Sequence, residues 1–325
     1  MAAKQTKRKK NRPLKRIEKW LKNRYLDLRI YLHYQDLNPN VIKLSQSTQR
    51  VSVNPADARA RKKLIVDSLR GRLPRNQLFW RQACQQLQPS VALDVGVNYG
   101  ECLFSVDYSQ QTRAIGIEAN PCLLSHLQAS QNYHPSADQI ELHNVLAGGD
   151  RCDEVSFYIN QETSGESTAA QGSVQANPKD YEQVTVPQIC VDDLLQGAFT
   201  DQEANAGPLV FKIDVEGYEQ HVFRGMQSTL ESAVDLIGLI EFDLSMLEGA
   251  GSNPQKFFEF LAERFDVYLF VEKTAALPVG KLTYPEFHSL LSKTKFHSDL
   301  LLVRAADTQK YTPFPHQWLP KSVAA

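Results

Sequence analysis

Val91-Ala92-Leu93-Asp94-Val95-Gly96-Val97-Asn98-Tyr99-Gly100-Glu101 decides how this chain folds. The first five residues make a short apolar run, and the glycines behind it end that run in a turn. The segment therefore reads as a buried strand entering a glycine loop and then a helical stretch. Gly96 and Gly100 let the backbone turn tightly and approach a ligand closely. The spacing is not the G-x-G-x-x-G that aims a helix N-terminus at a pyrophosphate, which sets aside a nicotinamide dehydrogenase. An aspartate stands just ahead of the turn and an asparagine within it. That suits a ligand with a cationic amino-acid end and no phosphate. Asp94, Gly96, Asn98, Gly100 and Glu101 are candidate binding residues; the plainer alternative is a turn in which Asp94 caps the next helix.

Moving outward, strand and helix patterns alternate. Residues 113–118 form a second strand, 121–130 a helix with Asn120 as its cap ahead of Pro121, and 140–145 a third strand. Residues 209–215, 235–242, 267–271 and 297–303 supply further strands. This alternation predicts an α/β fold with a mostly parallel sheet covered on both faces. Residues 155–159 and 184–191 alternate as antiparallel strands do, around a long Ser/Gly/Thr-rich loop. Glu118 ends the second strand, 24 positions after Asp94, where an acid in such a sheet accepts hydrogen bonds from ribose hydroxyls. Asn120 and Asn144 follow the second and third strands and complete the candidate cofactor set, Asn144 on the side of the base.

The densest chemistry is Lys212-Ile213-Asp214-Val215-Glu216-Gly217-Tyr218-Glu219, at the C-terminal end of a strand, the edge where open α/β sheets bind ligands. Like charges so close favour a shared proton or a bound cation. The string offers a general base, a ligand set for a hard divalent cation, or a helix cap. Asp214 and Glu216 are the catalytic candidates, and Glu219 reads as structural. Glu241 and Asp243 end the next strand and extend the polar pocket. Of the eight histidines, His297 is the best placed for chemistry, at the start of the last strand. The loop around Thr163–Gln175 is positioned to close over the site and exclude water.

Ahead of this domain, residues 1–75 form an N-terminal extension, and 76–325 the catalytic unit. The formal charge of −1 conceals an asymmetry: the first 24 residues hold 11 Lys/Arg and one acid, the rest 25 against 36. Leu14, Ile17, Leu21, Tyr25, Leu28 and Leu32 make a helical apolar stripe beside those bases. Such a helix packs on the main domain, or lies on an anionic membrane surface as a peripheral contact. Basic charge without a recognised binding motif is weak support for nucleic acid. Residues 36–56 read as turns, and 56–69 as a second helix. Five scattered cysteines without a C-x-x-C pattern fit a cytoplasmic protein rather than a disulfide or zinc framework. The N-terminus lacks the apolar run of a signal peptide, and no apolar run is long enough to span a bilayer.

Taken together, the loop at 94–101, Gly116-Ile117-Glu118-Ala119-Asn120-Pro121, Val191-Asp192-Asp193-Leu194, the carboxylate string at 212–219 and the ending His297-Ser298-Asp299-Leu300-Leu301-Leu302-Val303 resemble the FkbM-type methyltransferases. The resemblance runs from about residue 88 to 304 and leaves the basic head outside. It implies a Rossmann-like class I methyltransferase fold: seven strands, mostly parallel, with an antiparallel last strand. It also implies methyl transfer from S-adenosyl-L-methionine, typically to a hydroxyl of a sugar, glycan, lipid or natural product. The alternative is a non-catalytic S-adenosylmethionine-binding protein or a membrane adaptor built on the basic head. The intact Asp94, Glu118, Asp214 and Glu216 argue against degeneracy.

Overall fold

The computed structural model describes residues 12–175, 177–196, 207–233, 235–272, 275–292 and 299–304. At its centre lie β3 (Val91–Val95), β4 (Arg113–Ile117), β5 (Ile140–His143), β9 (Leu209–Ile213), β10 (Leu236–Glu241), β11 (Asp266–Glu272), β12 (Ala275–Pro278) and β13 (Asp299–Arg304). They form one eight-stranded sheet in the order β12-β11-β13-β10-β9-β3-β4-β5. The five strands from β10 to β5 run parallel. The last strand, β13, inserts antiparallel between β10 and β11, as expected. The expected count of seven is corrected to eight among the described residues: β12 pairs antiparallel with β11 and extends the edge.

All five residues of β3 and of β9 are buried. Unbroken apolar strands are what a sheet covered on both faces requires. Neighbouring residues alternate between two cores. Ala92 and Val210 face one with Phe79 and Trp80. Leu93 and Phe211 face the other with Val222, Phe223 and Phe257. A separate three-stranded sheet joins β6 (Leu146–Ala147), β8 (Tyr181–Ile189) and β7 (Cys152–Asn160). In it β7 and β8 pair antiparallel, as their alternation predicts. After the glycine loop the expected helical stretch is only a 3-10 turn, Leu103–Ser105. There the Ser105 hydroxyl bonds back to the Cys102 carbonyl at 2.7 Å, diverting the chain from helix.

Three helices and a two-stranded hairpin precede the sheet among the described residues. The helices are α1 (Arg12–Tyr34), α2 (Ala58–Arg70) and α3 (Arg75–Leu87). Between the first two, β1 (Val41–Lys43) pairs with β2 (Arg50–Ser52) in a hairpin where the sequence reads as turns. Strands of three residues carry too little alternation to read; only Ile42 and Val51 point inward. Ile30, Ile42, Leu44, Val51, Leu64 and Ile65 join Phe79 and Trp80 in one continuous buried cluster. α1 does not pack by its apolar stripe. Leu26, Ile30 and Tyr34 touch the core, with Arg29 bonded to the Leu69 carbonyl and Tyr34 to Ser68. Ile17, Leu21, Tyr25, Leu28 and Leu32 stay 54–65 % exposed. The reason is geometric: α1 has 23 residues, about 35 Å of helix, and only its last turns meet α2.

Candidate active site

The C-terminal ends of β3, β4, β9 and β10 converge on two adjoining cavities. The first holds the glycine loop. Gly96 has φ +79°, and a Cβ there would lie 1.9 Å from the Asp214 carbonyl oxygen, so only glycine lets the loop cross the end of β9. Lys212, on β9, donates from Nζ to Asp94 Oδ1 at 3.2 Å and to the Gly96 carbonyl at 3.1 Å. It also lies 3.5 Å from Asp214. Burial pulls its pKa down, but Asp94 and Asp214 more than offset this and hold it well above the usual lysine value. The Asp94 carboxylate is 1 % exposed, and its Oδ2 has no partner among the described residues. Burial lifts its pKa to about 6, with Lys212 opposing the rise.

Glu118 accepts from the Asn98 amide at 2.7 Å and the Asn120 amide at 2.8 Å, one on each carboxylate oxygen. Burial raises its pKa while those donors hold part of the rise back. Asp94, Gly96, Asn98, Glu101 and Glu118 all line this cavity. Gly100, Asn120 and Asn144 do not. Gly100 turns the chain at φ +83°, Asn120 caps the turn at Pro121, and the Asn144 amide donates to the Glu118 carbonyl at 2.7 Å. The far wall is apolar, with Leu146 and Ala147 of β6 and Phe157 of β7. Ser164, Gly165 and Ser167 close the cavity from the long loop. The serine-rich composition marks that loop, but its contact residues carry no signal of their own.

The second cavity is lined by Lys63, Arg75, Asn76, Asp214, Glu216, Glu241 and Asp299 over a floor from β9 and β10. Asp214 and Glu216, with Lys63, Asn76 and Lys212, line both cavities. Glu216 is held at φ +53°, a left-handed conformation unusual outside glycine, asparagine and aspartate. Its carbonyl accepts from the Thr168 hydroxyl at 2.8 Å. Asp214, Glu216 and Glu241 each place a carboxylate oxygen within 4.8 Å of the other two. Burial and this crowding push Glu216 well above the usual carboxylate value and Glu241 to about 11. Arg75 pairs with Asp299 at 2.8 Å. Glu219 is structural in its contacts: its Oε1 accepts the amides of Val215 and Gly217 at 3.0 and 3.2 Å. Asp243 stays out of the cavity and caps the helix Leu244–Gly249 instead. His221 stacks on Tyr218, and His297 lies outside the described residues.

The methyltransferase FkbM domain matches residues 94–269, more than half of the sequence. The chain belongs to this family. Among solved structures it is similar to an FkbM methyltransferase from Methylobacillus flagellatus at 16 % identity and a TM-score of 0.40. That match covers 76 % of this chain but only 55 % of the other, so the chain spans about half the length of that relative. It is also similar to the O-methyltransferase TomG from Streptomyces achromogenes, at 11 % identity over 71 % and 79 % of the two chains, with a TM-score of 0.37. An O-methyltransferase from Bacillus cereus shows 10 % identity over 70 % and 80 %, at 0.35. No curated protein matches the sequence.

Proposed function

We propose that the first cavity holds S-adenosylmethionine and that the protein methylates a hydroxyl oxygen of a polar acceptor seated in the second. The carrying observation is that the two cavities share Asp214 and Glu216. The chemistry of the first cavity fits the cofactor. Asp94 presents a buried, unpaired oxygen suited to an ammonium group. Glu118 has lone pairs left for ribose hydroxyls beyond its two amide donors. Leu146 and Phe157 offer an apolar slot for a base. When bound, the cofactor supplies an electrophilic methyl on a sulfonium. The chain must bring the acceptor oxygen in line and take its proton. The cluster of Asp214, Glu216 and Glu241 is placed for the second task, and Ser164–Ser167 exclude water from above.

Acceptor class follows from the lining. Eight charged or amide side chains line the second cavity, and the apolar contribution is confined to its floor. This suits a hydroxyl-rich group, as on a sugar, glycan or lipid headgroup, better than an acyl chain or a flat aromatic. Asp214→Asn is the test, read with pooled sugars and glycolipids as acceptors and labelled cofactor. Retained cofactor affinity with methyl incorporation down at least a hundredfold supports the assignment. Unchanged turnover removes Asp214 from the chemistry. A divalent cation in the same triad is the competing role; turnover abolished by EDTA and restored by magnesium would assign it.

The working position we propose is the surface of an anionic membrane, reached through α1. No helix among the described residues is long and apolar enough to cross a bilayer. α1 instead leaves its apolar stripe uncovered beside 11 bases in the first 24 residues, which complements an anionic lipid surface. Full-length protein should sediment with vesicles containing phosphatidylserine and not with pure phosphatidylcholine. Leu21→Glu with Leu28→Glu should abolish this. A dimer in solution that the same pair dissolves would instead give the face to a second copy.

A further inference from the structure

We propose that Asp57, in the N-terminal extension and outside the matched family domain, is a positioning residue that latches the Ser164–Ser167 segment over the cofactor cavity. This rests on the reading of that cavity as the S-adenosylmethionine site. Asp57 is the cap of α2, and its two oxygens do different work. Oδ1 accepts from the Ala60 amide at 2.9 Å, which is the cap itself. Oδ2 faces away from the helix and accepts from two donors, the Ser164 amide at 3.0 Å and the Tyr99 hydroxyl at 3.2 Å.

Those two donors belong to different segments, the glycine loop and the turn that lines the cavity. Tyr99 follows Asn98 in the glycine loop and is 1 % exposed. Ser164 opens the short turn that closes the cavity, and its hydroxyl donates to Asn98 Oδ1 at 2.7 Å. Asp57, Tyr99, Asn98 and Ser164 thus form a closed ring of contacts joining the extension, the cofactor loop and the covering segment. Asn98 is already fixed on its other side, where its amide donates to Glu118. A change at Asp57 therefore reaches the ribose-facing acid through three hydrogen bonds. Arg59, two residues on, lies 3.3 Å from Glu162 and 3.7 Å from Glu166. These pairs are largely exposed and add direction more than strength.

The C-terminal half of the covering segment is tied to β7, where Asn160 donates from its backbone amide to the Ser167 hydroxyl at 3.1 Å and from Nδ2 to Glu166 at 3.2 Å. Its first residue, Ser164, is held by Asp57 and Asn98. Residues 164–166 form a single 3-10 turn with no side-chain cap of its own. Without Oδ2, the Ser164 amide loses its acceptor in the extension and the N-terminal end of the segment loosens while its β7 tethers remain. The consequence is faster loss of bound cofactor, with the rest of the fold intact.

Asp57→Ser separates the two functions of the side chain. Serine caps a helix as well as aspartate does, but its single oxygen cannot also reach Ser164 and Tyr99. The full-length variant is titrated with S-adenosylmethionine and S-adenosylhomocysteine by calorimetry, and amide hydrogen exchange is followed in parallel. Both dissociation constants are expected to rise about tenfold, the scale of losing hydrogen bonds to a charged group. Exchange should accelerate at 163–167 and stay slow at 60–64. Ser164→Pro approaches from the other end: it removes the amide donor to Asp57 at the first position of a turn, where proline is tolerated, and leaves α2 untouched. Ser164→Ala, which removes only the hydroxyl to Asn98, is the control that subtracts that second loss. The proline variant should weaken binding similarly. Wild-type affinity in a folded Asp57→Ser protein overturns the proposal, as does weakened binding with α2 itself deprotected. If Asp57→Ser fails to fold, Ser164→Pro decides. Failure of the wild-type protein to bind either ligand would refute the cofactor reading instead.

Discussion

Replacing Asp94 by asparagine isolates one end of the cofactor. The variant keeps an oxygen for Lys212, whose Nζ now lies 3.2 Å from Oδ1. It loses the negative charge and replaces the unpaired Oδ2 with an amide nitrogen. A hydrogen bond to a charged group contributes about 1.5–3 kcal/mol, so S-adenosylmethionine should bind roughly 10- to 150-fold more weakly. The control is 5′-methylthioadenosine, which has the nucleoside and sulfur but no amino-acid end; its affinity should move less than threefold. pH provides a second axis. Asp94 titrates at about 6, above its usual value of 3.8, so ionising it costs the fold stability as pH rises through that interval. Ligand binding needs the ionised form and has the opposite sign. Wild-type affinity for S-adenosylmethionine should fall about tenfold per pH unit below 6, and the variant should show no such slope. Equal losses for both ligands would mean general collapse of the loop, and equal retention would remove Asp94 from the amine site.

Three further outcomes follow from buried contacts. Glu219 is fully buried with its pKa raised to about 7, so its contribution is retained below about 4.5 and lost as pH climbs through 7. Glu219→Gln should match wild type at pH 5 and gain up to roughly 3 kcal/mol at pH 8 in urea unfolding. Arg75→Met removes the ion pair to Asp299 and takes the guanidinium from over the Phe270 ring, 4.8 Å away, which should cost about 3 kcal/mol; adding Asp299→Asn should restore part of it. Gly96→Ala drives a Cβ into the Asp214 carbonyl, and a folded variant that still binds cofactor would contradict the described loop crossing.

The sheet was legible because β3, β9 and β10 are continuous apolar runs ended by turn residues, and such runs have few other uses. That Asp94, Glu118, Asp214 and Glu216 line the cavities could be read in advance because each stands at or just past a strand end, the edge on which the cavities open. What escaped has a common cause. Strand β12 and the β1–β2 hairpin have three or four residues per strand, too few for a period. Lys63, Asn76, Phe157 and Ser164 reach the cavities from distant parts of the chain, and no local pattern brings them together. α3 carries the buried Phe79 and Trp80 but lies among glutamines and arginines that hide its apolar face. Asn144 shows the converse: its position beside the third strand is as read, but its amide is committed to the Glu118 backbone.

The family match begins at residue 94, inside strand β3, while Phe79 and Trp80 of α3 and Leu64 of α2 share one buried cluster with Ala92 and Val97. The recognisable catalytic segment is thus a unit of descent and not a unit of assembly. An expression fragment trimmed to that segment would begin mid-strand and bare two of the largest aromatic side chains in the core, inviting aggregation. Nor could the leading residues be exchanged as a cassette between relatives, because their side chains interlock with the sheet they cover. Changes in what the extension recognises would have to arrive residue by residue, each one compatible with a core already filled.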